Sequence, residues 1–186
     1  MRLSVLICTT MGRVRTFLPS MVESLSRQMV EGVEMLYLGD NNSRTVGAKR
    51  NALLMLARGD YICFVDDDDR ISDDYVSSIL EALVSKPDCV VFGEMCSING
   101  GAPKKVVYDI NLEIESNTDS SYLRWPNQKM VFRRELALSV GFLDVMVGED
   151  YAFASRVRSR ISTVVRIDKV LYYYDFNSKT TEAQKS

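Results

Sequence analysis

Two rhythms of apolar and polar residues run along this chain, and the change from one to the other divides it. Residues 3–8 form a continuous apolar run, the pattern of a strand buried on both faces of a parallel sheet. Leu18, Met21, Val22 and Leu25 then recur at helical spacing, with Thr16 placed to cap the helix and Pro19 tolerable in its first turn. Residues 33–38 predict a second strand, which runs into the turn-forming Gly39-Asp40-Asn41-Asn42-Ser43. A second helix is expected over 45–58, with Gly59 as its C′ stop. Residues 61–65 make a third apolar strand. The helix expected over 72–86 carries Tyr75, Val76, Ile79, Leu80, Leu83 and Val84 on one face, with Asp73 and Asp74 in its first turn and Pro87 beyond its end. A fourth strand at 88–92 completes a βαβαβαβ order. That order predicts an α/β fold with a Rossmann-like, doubly wound, mostly parallel sheet, whose ligands bind at the carboxyl ends of the strands.

The second half changes character. Residues 106–114 alternate, with Tyr108, Ile110, Leu112 and Ile114 on one side, which predicts a half-exposed antiparallel strand. Residues 115–127 are polar and irregular around Trp125 and Pro126. Helices are expected at 134–140, ending at Gly141, and from Gly148-Glu149-Asp150 through Arg160; a last strand is expected at 163–174, with Tyr172, Tyr173 and Tyr174 packing in it. The chain reads as a single domain over 1–186. Residues 1–98 form a binding half and 99–176 a half that completes the pocket, while 177–186 form a polar tail, either a flap or a frayed end.

Composition narrows the chemistry. At 186 residues and a net charge of −2, the chain can bury one core and lacks an overall basic nucleic-acid footprint. The apolar run after Arg2 is too short for a membrane span and has no signal-peptide cleavage pattern. Cys8, Cys63, Cys89 and Cys96 lack metal-ligand spacing and read as free thiols, mostly buried, in a cytoplasmic protein. The sequence contains no histidine, which excludes Ser-His-Asp and Cys-His machinery and most zinc sites. Acid–base work then falls to carboxylates, Lys, Tyr or Cys. A metal held by carboxylates alone should be a hard cation, Mg²⁺ or Mn²⁺.

The strand at 61–65 ends in Asp66-Asp67-Asp68-Asp69. Adjacent like charges repel, so a fold keeps such a run where a cation or solvent offsets the repulsion. The run reads either as the metal-binding edge of an active site or as a solvated acidic turn before the next helix. With Asp40 at the end of the second strand, two acidic loops project from one edge of the sheet.

These motifs, in this order and over nearly the whole chain, resemble the family-2 glycosyltransferases, inverting nucleotide-sugar-dependent enzymes with the GT-A fold. Ile7-Cys8-Thr9-Thr10 with Arg13 resembles the family's first-strand pattern, although Thr10 stands where the family has an aromatic and Met11-Gly12 departs from it. Asp40-Asn41-Asn42-Ser43 resembles the second-strand Asp-Asp-Gly-Ser signature. Gly47-Ala48-Lys49-Arg50-Asn51 matches the Gly-x-x-x-Arg-Asn segment, Asp66-Asp67-Asp68 the Asp-x-Asp motif, and Gly148-Glu149-Asp150-Tyr151 with Arg156 the late Glu-Asp motif.

The resemblance implies a donor-binding set of Thr9, Asp40, Arg50, Asp66 and Asp67. Asp66 and Asp68 would hold Mn²⁺ or Mg²⁺ against the diphosphate of a nucleotide sugar, expected to be a UDP-sugar; Asp40, at the family's base-binding position, suits the imide N–H of uracil or thymine, and guanine presents such a donor too. Asp40 reads alternatively as an Asx-turn, and Arg50 as a plain helix-surface arginine. Of Asp67 and Asp69, one is expected to meet the ribose and the other to cap the following helix. Asp150 is the implied general base, with Glu149 orienting it or binding acceptor hydroxyls; both alternatively complement a helix N-terminus.

The acceptor is expected to be a glycan or other hydroxyl compound. A hydroxylated nucleic-acid base is a minority possibility, served by a groove of Lys104, Lys105, Arg133, Arg134, Arg156, Arg158 and Arg160. Tyr122 and Trp125 offer an acceptor platform or core packing. Two other function classes fit less well: a nucleotidyltransferase, which lacks its Gly-rich phosphate loop here, and a non-catalytic nucleotide- or sugar-binding module.

Overall fold

The structure is a computed structural model and describes residues 2–178. In chain order the elements are β1 (Leu3–Thr10), α1 (Leu18–Ser26), β2 (Val33–Asp40), α2 (Val46–Leu56), β3 (Tyr61–Phe64), β4 (Arg70–Ile71), α3 (Tyr75–Ala82), β5 (Cys89–Ile98), β6 (Lys104–Tyr108), β7 (Ser116–Asn117), β8 (Ser121–Arg124), β9 (Val131–Arg133), α4 (Arg134–Val140), α5 (Glu149–Val157) and β10 (Val164–Phe176). The expected tail lies outside the described residues from 179 onward.

The described strands form one 10-stranded sheet in the order β2-β1-β3-β9-β5-β6-β8-β7, with β10 against β5 and β4. β1 pairs in parallel with β2 and β3, and β10 runs parallel to β5 along nearly its full length. The parallel core of the doubly wound half is as expected; antiparallel strands enter mainly in the second half, with two-residue β4 of the first half also antiparallel, to β10. One of them has no forerunner in the sequence reading: β9, only three residues long, inserts antiparallel between β3 and β5 and carries fully buried Val131 and Phe132. Leu3, Val5, Leu6 and Ile7 are fully buried, as a strand covered on both faces requires.

Several expected boundaries move, each for a local reason. Thr16 does not cap α1; its hydroxyl donates to the Arg13 carbonyl, and Phe17 occupies the N-cap. Thr45 does cap α2, accepting from the Ala48 N–H at 3.0 Å. Gly59 is not the C′ residue of α2. It is a close-approach glycine, where an added Cβ would stand 2.6 Å from the Ser4 nitrogen of β1. α3 tightens into a 3₁₀ turn at Leu83–Ser85, which rotates Val84 off the apolar face and leaves it 77% exposed. The strand expected over 106–114 stops at Tyr108, because the Asp109 carboxylate accepts from the Asn111 N–H and turns the chain. The segment 115–127 is not wholly irregular: β7 and β8 pair around Thr118, whose side-chain oxygen accepts from the Ser121 N–H. Trp125 takes the core alternative, buried with its indole N–H on the Leu112 carbonyl and the Arg158 guanidinium 4.2 Å above its ring.

All four cysteines are free, and burial pushes the Cys8 and Cys63 thiols up to about 12. Among the described residues no helix is long and apolar enough to cross a membrane.

Four of the seven basic residues expected to form a nucleic-acid groove fasten neighbouring backbone or pair with an acid. Arg156 donates to the Val140 and Gly141 carbonyls, Arg158 to Leu112, and Arg160 to Ser139, so they fasten α5 and its continuation to neighbouring turns. Arg133 pairs with Asp88 and the Lys86 carbonyl.

Two contacts position the site. The link between α4 and α5 sits directly on α2: the Gly47 N–H donates to the Val145 carbonyl at 3.2 Å, and Asn51 both donates to and accepts from the Phe142 backbone at 2.8 Å. A Cβ on Gly47 would fall 1.7 Å from the Leu143 carbonyl oxygen, so only glycine allows this approach. Beneath the sheet edge, Lys129 Nζ reaches Glu94 Oε1 at 2.7 Å while the Tyr108 hydroxyl donates to Glu94 Oε2 at 2.6 Å, all three groups buried. Burial acts to lower the Lys129 pKa, but Glu94 and Asp69 outweigh it and hold the ammonium charged.

Lys129→Met is expected to strand the Glu94 carboxylate and cost ~3–5 kcal/mol in urea unfolding at neutral pH, with Glu94→Gln in the same background recovering part of the loss. Gly47→Ala is expected to lift the α4–α5 link and speed hydrogen exchange at the Phe142 and Val145 amides while the β1 amides stay protected.

Candidate active site

At the carboxyl ends of the parallel strands lies a cavity of about 510 Å³. The end of β1 supplies Cys8 and Thr9, the turn after it Arg13, α2 Lys49 and Arg50, the loop after β3 Asp66, Asp67 and Asp68, the start of α5 Gly148, Glu149 and Asp150, and β10 Tyr174. Its size suits a cofactor-sized ligand.

The four aspartates after β3 have four different surroundings. Asp66 is half-buried; its Oδ1 lies 3.3 Å from Arg50 Nη2, and its N–H donates to the Tyr172 hydroxyl at 3.0 Å. Asp67 is buried and fully engaged. Its Oδ2 accepts from Thr9 Oγ1 at 2.6 Å and Arg13 Nε at 3.2 Å, and its Oδ1 from Arg13 Nη2 at 2.6 Å. Burial raises its carboxyl above the ordinary range, against the pull of Thr9 and Arg13. Asp68 meets Arg13 Nη2 through Oδ2 at 2.7 Å. Asp69 does not cap α3. It is buried under the loop and accepts from the Tyr172 hydroxyl at 2.6 Å, and burial together with Asp66 holds its carboxyl well above the usual range.

Asp40 stands at the end of β2 as expected, behind the wall that Asn42 and Lys49 present to the cavity. Its carboxylate accepts from the Asn42 and Arg44 N–H groups and the Ser43 hydroxyl, the Asx-turn alternative, and lies 3.3 Å from Lys49 Nζ. Burial acts to raise its pKa, but Lys49 and the loop donors bring it below the ordinary value. Lys49 also donates to the Thr9 carbonyl at 3.1 Å, so one buried ammonium ties the ends of β1 and β2 together.

Arg50 is not a surface arginine. It is 5% exposed, lies 3.3 Å from Asp66 and 3.4 Å from Glu149 Oε1, and stacks near the Phe64 and Phe142 rings. Its Nη1 is buried without a hydrogen-bond partner among the described residues. Burial acts to lower its pKa, and Asp66, Glu149 and Asp150 more than restore it. Glu149 is 5% exposed; burial and then Asp150 push its carboxyl up, with Arg50 opposing. Asp150 is half-buried at the helix start, with Oδ1 accepting from the Tyr151 N–H at 2.7 Å.

Thr9, Arg50, Asp66, Asp67, Asp68, Glu149 and Asp150 thus converge on one cavity, and Asp40 borders it. Sequence reasoning gave no role to Arg13 or Lys49, although both fall inside motifs it had marked. Tyr172 and Tyr174 carried no signal beyond strand packing, yet one supports the aspartate loop and the other lines the cavity.

Asp66 and Asp68 each meet an arginine through a single oxygen, at 31% and 19% side-chain exposure. Among the described residues no group of three or more acidic or thiol side chains forms a metal cage by itself. Two half-buried carboxylates beside a cavity of this size nevertheless fit a Mg²⁺-type ion, which takes one or two protein carboxylates and fills its shell with phosphate oxygens and water.

Comparison with known proteins bears on the same region. TarS from S. aureus is similar in fold: its 1–349 fragment in complex with UDP-GlcNAc superposes with a TM-score of 0.75 at 18% identity, covering 100% of this chain and 61% of that one. The same fragment in complex with UDP gives 0.74 at 18% identity, covering 96% and 62%. The mannosyltransferase PcManGT from Pyrobaculum calidifontis, in complex with GDP-Man and Mn²⁺, gives 0.62 at 12% identity, covering 98% and 59%. This chain therefore spans about three fifths of the length of each, and at such identities the likeness is one of fold, the GT-A fold. No curated protein matches the chain in sequence. The sequence model of glycosyl transferase family 2, however, matches residues 18–140, well over half of the chain, including the cavity's Lys49, Arg50 and Asp66–Asp68. On that match the chain belongs to glycosyl transferase family 2.

Proposed function

We propose that this chain moves a sugar from a nucleotide-sugar donor, a UDP-sugar, to a hydroxyl acceptor with inversion at the anomeric carbon. One observation carries the reading: Asp66 and Asp68 on one wall of the cavity and Glu149 and Asp150 on another, with Arg50 between them. Structures of similar fold holding UDP, UDP-GlcNAc, or GDP-Man with Mn²⁺ support the donor class.

A nucleotide sugar leaves behind a diphosphate, whose growing negative charge needs positive partners. Asp66 and Asp68 hold Mn²⁺ or Mg²⁺, which supplies Lewis-acid neutralisation of that charge when bound. Thr9 and Asp67 brace the loop that carries these two carboxylates, and Asp40 sits where the second-strand loop meets the nucleotide. Asp150 takes the proton from the acceptor hydroxyl as its oxygen attacks the anomeric carbon on the face opposite the diphosphate. The bond from that carbon to the diphosphate oxygen breaks, and the configuration inverts. Glu149, held by Arg50, orients the start of α5 so that Asp150 faces the acceptor. A carboxylate base of this kind supplies roughly 10²–10⁴ in rate.

The test is a panel of nucleotide sugars offered to the purified protein with Mn²⁺, with donor turnover followed and donor binding measured by calorimetry. Asp68→Ala is expected to lose Mn²⁺-dependent UDP binding. Asp150→Asn is expected to bind donor as the wild type does but to turn it over roughly 10²–10⁴ more slowly. Undiminished turnover in Asp150→Asn removes that residue from the mechanism, and absence of turnover with every donor, binding intact, identifies a binding module instead.

A further inference from the structure

Arg13 lies in the turn that follows β1, and its position is built rather than incidental. Its backbone carbonyl accepts from the N–H groups of Thr16, Phe17 and Leu18, which fixes the turn as the lead-in to α1. Its side chain is 13% exposed, with the guanidinium 4.7 Å from the Phe17 ring centroid. Nε and Nη2 grip both oxygens of Asp67, and Asp67 is itself held by Thr9. From this anchorage Nη2 also reaches Asp68 at 2.7 Å.

The two aspartates consequently have unequal duties. Asp67 is the anchor, with both oxygens bonded to Thr9 and Arg13. Asp68 carries a cation already, in the form of a guanidinium. A divalent ion approaching Asp68 meets that positive charge at contact distance in a half-buried site, where repulsion between like charges is poorly screened.

We propose that Arg13 is a resident counter-ion of Asp68 that makes divalent-cation binding depend on the nucleotide diphosphate. Without donor, Arg13 neutralises Asp68 and keeps the affinity for Mn²⁺ or Mg²⁺ low. A nucleoside diphosphate brings the negative charge that offsets Arg13, so the cation and the nucleotide load together. The coupling is reciprocal, so the cation strengthens nucleotide binding by the same factor. This inference rests on the donor-site reading above and adds to it the order in which the site fills.

The experiment is Mn²⁺ binding followed by electron paramagnetic resonance of the free ion, without nucleotide and with saturating UDP or GDP. Wild type, Arg13→Gln, Arg13→Lys and Asp67→Asn are compared, each checked for an unchanged circular dichroism melt. Arg13→Gln is expected to bind Mn²⁺ alone about tenfold more tightly than wild type, with a correspondingly smaller gain on adding nucleotide. Arg13→Lys keeps the charge and is expected to stay near wild type. Asp67→Asn leaves Arg13 to Asp68 alone and is expected to bind Mn²⁺ without nucleotide more weakly than wild type, the opposite direction to Arg13→Gln. If wild type binds Mn²⁺ with nucleotide but Arg13→Gln binds Mn²⁺ alone no more tightly than wild type does, the counter-ion role is overturned and the donor-site reading stands. If wild type binds no Mn²⁺ even with UDP or GDP, the donor-site reading fails and this inference fails with it.

Discussion

Everything at this site depends on holding a crowd of carboxylates together at one edge of a sheet. Left alone, Asp66, Asp67, Asp68, Glu149 and Asp150 would repel one another and draw in water. The fold answers with buried cations, each serving a stated set of partners. Arg13 spans Asp67 and Asp68, Arg50 spans Asp66 and Glu149, and Lys49 ties Asp40 to the Thr9 carbonyl. Lys129, one layer deeper, balances Glu94 and lies near Asp69. Removing a single member of such a set leaves an uncompensated buried charge, which is strongly destabilising.

On the proposed function, sugar transfer from a nucleotide requires groups held in place in this way. The reacting groups must be placed before the donor arrives, because charge appears on the diphosphate only as the bond breaks. Arg50 matters most in that respect, since it joins the loop after β3 to the start of α5. These elements are far apart in sequence and approach only because Gly47 has no side chain to keep the α4–α5 link away from α2. The buried Nη1 of Arg50 has no hydrogen-bond partner among the described residues.

The parallel half of the fold was legible because its signals are local. A continuous apolar strand, a helix with one apolar face and a Thr45 cap each follow from a few neighbouring residues. The acidic loop at 66–69 was legible too, as charge that a fold must compensate. The errors came where local chemistry competes with pattern. A single Asx-turn at Asp109 ended the strand expected over 106–114, and a tightened last turn put Val84 into solvent. β9 escaped notice because three residues hold no periodicity.

What the sequence determined by itself was therefore the set of acids and the strand ends that bear them, together with the family that motif order points to. The tertiary structure decided which partners each acid meets. Asp67 and Asp68 are neighbours of identical chemistry, yet one is gripped through both oxygens by Thr9 and Arg13 while the other meets Arg13 through a single oxygen. Asp69 is turned under the loop onto Tyr172 from β10, a contact across 103 residues of chain. The acidic run at 66–69 was thus readable as a site, but the duty of each carboxylate follows from burial and from partners that only folding brings near.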